Sequence, residues 1–158
     1  MDFDFSDDQE QLRDAVRKWV DKGYSFDRRR ATEKAGGFDR AAFAELAELG
    51  LTALYVPQEH GGMGMGPVEG MVVMEELGRG IVLEPLTQSL IAGAVIAGYG
   101  DAATRTAWLP GIASGDMLIV LAYQERAARY KLDACEAKAT QAPGGYVLNA
   151  RTGACFKN

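Results

Sequence analysis

Little in this chain suits staples, metals or polyanions. Its 158 residues include two cysteines, Cys135 and Cys155, and one histidine, His60. Two thiols make no disulfide framework, and without a third thiol or a second imidazole the usual zinc ligand sets are out of reach, so no metal is expected. Basic side chains are in the minority. Seventeen Lys and Arg against 22 Asp and Glu leave a net charge of −5, which excludes the basic stripe of a nucleic-acid binder. The one basic cluster, Arg28-Arg29-Arg30, follows Asp27 and precedes Glu33, and it reads as a solvated helix end. Long hydrophobic runs are missing too: the longest, Leu90 to Gly100, falls well short of the ~20 residues of a membrane span. The N-terminus, Met1-Asp-Phe-Asp-Phe5, is acidic where a secretory leader is basic. A cytoplasmic protein is expected.

What is present is ordinary core-forming composition, 47% hydrophobic and 25% charged, enough for a folded domain without cross-links. Up to about residue 116 the pattern is helical. Ser6-Asp-Asp-Gln9 has the form of a capping box, with Asp7, Asp8 and Glu10 placed to favour the helix N-terminus. Leu12, Ala15, Val16, Trp19 and Val20 then recur on one face until Gly23. A second helix runs from Asp39, with Phe43, Leu46 and Leu49 inward and Gly50 just past its end. A third opens at Pro67 and stops at Gly78-Arg-Gly80. A fourth opens at Pro85, apolar almost all round and so expected to be buried on most sides. A fifth is capped by Asp101 and ends before Leu109-Pro110-Gly111.

After Gly115 the pattern turns strand-like: Met117 to Tyr123, Ala134 to Gln141, and Tyr146 to Asn149 behind the turn signal Pro143-Gly-Gly145. Five helices and about three strands are therefore expected. So few strands with open edges make a marginal sheet, and residues 117–158 read as the opening of a larger, incomplete antiparallel β-domain.

The chemistry-bearing candidates are few. The loop Gly61-Gly62-Met63-Gly64-Met65-Gly66 follows the apolar stretch Leu51–Val56 and precedes a helix, which raises the question of a phosphate cradle. Its spacing is not G-x-G-x-x-G, Pro57-Gln-Glu-His60 separates it from any preceding strand, and Pro67 lacks an N–H to aim at an anion. It reads as a tight connector in which glycine supplies positive φ where helices cross. His60 reads as a polar loop residue, and Glu75-Glu76 and Glu45/Glu48 as surface carboxylates.

Several stretches in register carry a resemblance. Ser6-Asp-Asp-Gln-Glu-Gln-Leu12, Leu46-Ala-Glu-Leu-Gly-Leu51, Val56-Pro-Gln-Glu-His-Gly-Gly-Met-Gly64 and Met74-Glu-Glu-Leu-Gly78 together resemble the N-terminal helical domain of the acyl-CoA dehydrogenase family. Trp108-Leu-Pro-Gly-Ile-Ala-Ser-Gly-Asp116, followed by Leu121-Ala-Tyr-Gln-Glu125, is similar to that family's passage into its middle β-domain. The resemblance implies a mainly α fold, with residues 1–116 as the helical domain and 117–158 as the beginning of the β-domain. It implies FAD, held between the β-domain and a C-terminal four-helix bundle. The chemistry it implies belongs to fatty acid metabolism: a glutamate takes the α-proton of an acyl-CoA, the β-hydride goes to the flavin, and electrons pass to an electron-transfer flavoprotein. Homo-oligomers are the rule in such enzymes. The glutamate and the bundle lie outside these residues, so the chain alone is expected to be inactive, with no catalytic residue of its own.

The resemblance also implies site residues. Gln124 stands where the family's Thr/Ser-Glu-Pro has its flavin-bonding hydroxyl, with Leu121 and Tyr123 beside it to pack on the ring. Leu86, Thr87 and Leu90 match the floor of the acyl pocket, core packing being an equal alternative for the leucines. The chain departs from the family twice here, with Gln124-Glu125-Arg126 for Thr-Glu-Pro and Arg129-Tyr130-Lys131 for Gly-Ser-Asp. Its last residues, Gly153 to Asn158, match the family's aromatic-hydroxyl strand poorly. The Gln-Glu-Arg variant suggests a dicarboxylic or ring-bearing acyl group, with Arg126 or Arg129 near the acid. Two other readings are open: a truncated, non-catalytic interaction module, and a flavin oxidase or monooxygenase on the same scaffold.

Overall fold

Helix α1 (Asp7–Gly23) begins at a reciprocal cap. The Gln9 N–H donates to Ser6 Oγ at 3.3 Å and the Ser6 N–H donates to Gln9 Oε1 at 3.0 Å. The computed structural model describes residues 4–123, 125, 128–129, 131 and 134–149. Contacts divide the chain into two compact units, Met1–Val120 and Leu121–Asn158.

The first unit holds the helices: α1, α2 (Phe26–Lys34), α3 (Arg40–Glu48), α4 (Pro67–Arg79), α5 (Leu86–Tyr99) and α6 (Ala102–Ala113). Helices α1 and α4 lie side by side, and their inward stripes meet Leu46 from α3 and Leu86 and Leu90 from α5. One cluster results: Val16, Val20, Leu46, Leu51, Leu54, Val73, Leu77, Leu86 and Leu90. A second cluster joins Ala53 and Val56 to Leu109, Ile112 and Ala113 of α6. Burial of such apolar surface is the main favourable term in folding. Among the described residues no helix is long and apolar enough to cross a membrane.

The described helices number six, not five. Helix α2 has no apolar stripe to betray it, since only Thr32 is buried. Polar contacts hold it in place. Ser25 Oγ accepts the Arg28 N–H, and Arg28 is no solvated helix end. Its guanidinium reaches Asp39 Oδ2 at 3.1 Å, Glu45 Oε1 at 2.9 Å and the Gly23 carbonyl at 3.0 Å. Arg29 donates to the Gly80 carbonyl at 2.8 Å, which leaves Arg30 as the exposed member of the trio.

Two expected surface carboxylates are also corrected. Glu45 is partly buried and accepts from both Arg28 and Trp19 Nε1. Glu76 is 3% exposed and lies between Arg17 and Arg79. Glu48 and Glu75 do face solvent.

Other elements shift. Leu51–Ala53 is a short 3₁₀ turn, set off because Gly50 takes a left-handed φ of 77° and ends α3 sharply. Helix α5 buries one face only, through Leu86, Ser89, Leu90, Ala92 and Gly93, and leaves Ile91 and Tyr99 outside. Helix α6 runs on through Pro110 to Ala113. Proline there removes one i→i−4 hydrogen bond, the one its missing N–H would have donated to the Thr106 carbonyl. At the end of α4 the left-handed residue is Ile81, at φ 50°, not Gly80.

The stretch 117–123, expected as a strand, forms none: residues 117–120 close the first unit and 121–123 open the second. The antiparallel pair is β1 (Lys138–Ala142) with β2 (Gly145–Asn149), in register from Lys138↔Asn149 to Ala142↔Gly145. Gly144 turns the hairpin at φ 87°, as the Pro-Gly-Gly signal led us to expect. The fold is thus mainly helical with a short antiparallel sheet after it.

Candidate functional site

The glycine loop uses its amides internally. The N–H groups of Met63, Gly64 and Met65 donate to the carbonyls of Ala53, Val56 and Leu54 at 2.7–2.9 Å, and those of Gly61 and Gly62 to Gln58 and Pro57. The Gly66 N–H, nearest the start of α4, donates to Glu69 Oε2 at 2.9 Å. A protein carboxylate therefore occupies the place where a helix N-terminus would hold an anion. Gln9 Nε2 donates to the same carboxylate at 2.8 Å, and these contacts, Gln9 first, hold Glu69 below the usual carboxylate range. The loop is a connector. Gly61 and Gly64 supply positive φ, at 83° and 62°.

Gly62 is required by space. A Cβ there would collide with the Val56 backbone, which cannot swing aside. Gly62→Ala should therefore destabilise the chain by about 1–3 kcal/mol, read as a lower denaturant midpoint. Gly78→Ala, with open space around its Cβ, is the control and should be neutral or slightly stabilising.

The three acyl-pocket candidates share the start of α5 but not its face. Leu86 and Leu90 are packed into the first core cluster. Thr87 faces outward, and its hydroxyl donates to Met74 Sδ at 2.8 Å. Beside them Glu84 is buried, and burial pushes its carboxyl above the usual range. Its Oε1 accepts the Asp39 N–H at 3.4 Å. The neighbouring Tyr24 phenol, which accepts the Leu83 N–H at 3.1 Å, is pushed up to about 12, mainly by burial.

Of the flavin candidates, Leu121 and Tyr123 are described, and Gln124 lies outside the described residues, as do Arg126 and the poorly matching Gly153–Asn158 stretch. Leu121 and Tyr123 are 41% and 58% exposed, two positions apart in the chain. A branched apolar side chain and an aromatic ring, both open, fit a flat heteroaromatic ring of the isoalloxazine kind. Arg129 takes a left-handed φ of 50° where the resemblance places a glycine. An L side chain in that region bears a strain of roughly 1–2 kcal/mol.

Sequence reasoning missed the Arg28–Asp39–Glu45–Trp19 network and the Met74–Thr87 contact, because their partners lie 11 to 26 residues apart with no shared period. Among the described residues no group of three or more His, Cys, Asp or Glu side chains is placed to hold a metal.

Comparison with known proteins places this geometry. A family model described as acyl-CoA dehydrogenase, N-terminal domain, matches residues 6–116. Benzylmalonyl-CoA dehydrogenase of Aromatoleum aromaticum is 29% identical over 154 residues, 96% of this chain and 41% of that protein. Acyl-CoA dehydrogenase FadE12 of Mycobacterium tuberculosis is 33% identical over 126 residues, 76% of this chain and 31% of that protein. A solved variant of the Tcur3481-Tcur3483 steroid ACAD superposes with a TM-score of 0.82 at 28% identity, covering 92% of this chain and 40% of that one. The chain spans less than half the length of these relatives. With most of its length matched by the family's own N-terminal model, the chain belongs to the acyl-CoA dehydrogenase family.

Proposed function

We propose that these residues are the helical domain (1–116) and the opening of the middle β-domain (117–158) of an FAD-dependent enzyme that oxidises an acyl-CoA to the 2,3-enoyl-CoA. The observation that carries this reading is the family match across residues 6–116. Leu121, Tyr123 and Gln124 would hold the flavin ring, and Leu86, Thr87 and Leu90 would form the floor of the acyl pocket. FAD, when bound, supplies two-electron acceptance. The α-proton falls to a glutamate outside this chain, so the chain alone does not turn over. An electron-transfer flavoprotein is the proposed acceptor, and the complete enzyme is a homo-oligomer in the cytoplasm.

The acyl group we propose carries a second carboxylate or a ring. Support comes from the relative named for benzylmalonyl-CoA, whose acyl group has both, and from the exposed Arg129. A guanidinium pairs well with a carboxylate. The complete gene product should purify yellow, and its visible flavin band should bleach anaerobically with an acid-bearing acyl-CoA. Arg129→Ala, or Arg126→Ala, should then raise KM for that substrate about tenfold, the loss of one charge-assisted contact, and leave a plain straight-chain acyl-CoA unaffected. Equal loss for both substrates would sink the acid contact. A colourless protein would sink the flavin reading.

A further inference from the structure

One side chain ties down the segment that carries Leu121 and Tyr123. Glu125 is 6% exposed, and its carboxylate accepts three donors from a single stretch of chain. The Glu136 N–H reaches Oε2 at 2.6 Å, the Ala137 N–H reaches Oε1 at 2.9 Å, and Cys135 Sγ lies 3.5 Å from Oε1. Bonds from backbone N–H groups to an ionised acceptor are among the stronger ones in proteins. These two, Glu136 first, hold the carboxyl below its usual range. The Glu125 carbonyl in turn accepts the Ala128 N–H at 3.1 Å, which opens the turn where Arg129 takes its left-handed conformation. Residues 121–123 form no strand, so no regular ladder sets their direction. On the far side of the contact, β1 starts directly after Ala137.

We propose that Glu125 is a positioning residue for the flavin: its side chain clamps the 121–125 segment to residues 135–137 and so fixes the direction in which Leu121 and Tyr123 present their side chains. The inference rests on the flavin reading above. Replacing Glu125 by alanine leaves two backbone donors without an acceptor. Glutamine keeps one oxygen but turns an amide donor toward one of the two N–H groups, so it should restore the clamp only in part.

The test uses the complete gene product as wild type, Glu125→Ala and Glu125→Gln. Three quantities are read: hydrogen exchange of the Glu136 and Ala137 amides, FAD affinity of the apoprotein, and the visible spectrum of the bound flavin. In Glu125→Ala the two amides should exchange about tenfold faster or more. FAD affinity should fall about tenfold, and the flavin band should shift. Glu125→Gln should lie between, and it remains informative if the alanine variant fails to fold. Unchanged exchange overturns the clamp. Faster exchange with unchanged FAD affinity and spectrum overturns the positioning role. A wild type that takes up no FAD overturns the flavin reading itself, and this inference with it, before any variant is measured.

Discussion

Replacing Leu46 by alanine should lower the stability of the chain by about 3–4 kcal/mol, the cost of lost burial plus the cavity left behind. Leu46 is fully buried. It reaches from α3 into the cluster where α1, α4 and α5 meet, among Val16, Val20, Leu54, Val73 and Leu77. These neighbours sit on α1, on α4 and on the turn after α3, none on α3 itself, so none can collapse into the space without moving a whole element. At roughly 2–4 °C per kcal/mol for a chain of this size, the melting temperature should drop by about 10 °C. The denaturant midpoint should fall with its slope unchanged, since the surface exposed on unfolding is nearly the same. Tyr99→Ala is the contrast, because Tyr99 is 89% exposed at the end of α5, and it should stay within about 0.5 kcal/mol of the parent. A loss under about 1 kcal/mol at Leu46 would mean that this cluster is not the centre of the fold.

Leu46 was legible because its signal is periodic and local. The same holds for the Ser6/Gln9 cap, the Pro67 start of α4 and the Asp101 cap of α6, where the Thr104 N–H donates to Asp101 Oδ1 at 2.7 Å. Helix α2 was not legible for the opposite reason. It is a polar segment whose order comes from Arg28 meeting Asp39 and Glu45, 11 and 17 residues away, and no window of sequence shows such a meeting. Leu51–Val56 is ambiguous in sequence, because a short apolar run fits a strand as well as a buried turn. Gly50, in its left-handed conformation, decides between them. The glycine loop was read correctly as a connector, although the carboxylate of Glu69 seated on Gly66 was not foreseen.

The candidate site is less legible than the fold. Leu86, Thr87 and Leu90 share one helical turn and differ only in the face they occupy, a distinction that depends on where α4 lies. Glu125 sits in the Gln-Glu-Arg step that drew attention for its other two residues. Its partners, ten to twelve positions further on, become visible only when the chain folds back.

The second large effect concerns a carboxylate whose helical spacing suggests a surface position. Glu76 on α4 is held by Arg17 Nη2 at 2.7 Å and by Arg79 Nε at 2.9 Å, and Arg79 also reaches Asp21 at 2.8 Å. The Arg17 contact is the main cause that keeps the Glu76 carboxyl below its usual range. A depressed folded-state value means that the contribution of this group is fully present above the ordinary carboxylate range and is lost as pH falls through the folded value. Arg17→Met with Arg79→Met should reverse that slope. Methionine keeps the stems that cover Glu76 but removes the donors, and a carboxylate left dry and unpaired costs about 3–5 kcal/mol. Burial alone would then raise the Glu76 carboxyl, so the double variant should be weakest near pH 8 and should recover toward the parent as acid neutralises the group. Adding Glu76→Met removes the stranded charge and should restore most of the loss at neutral pH, since an apolar replacement of a whole buried ion cluster is often neutral or better. Melting temperatures of the three proteins from pH 4 to 8 decide the matter. Parallel curves for parent and double variant would mean that water reaches Glu76 once the arginines are gone, and that its partners add nothing to the α1–α4 contact.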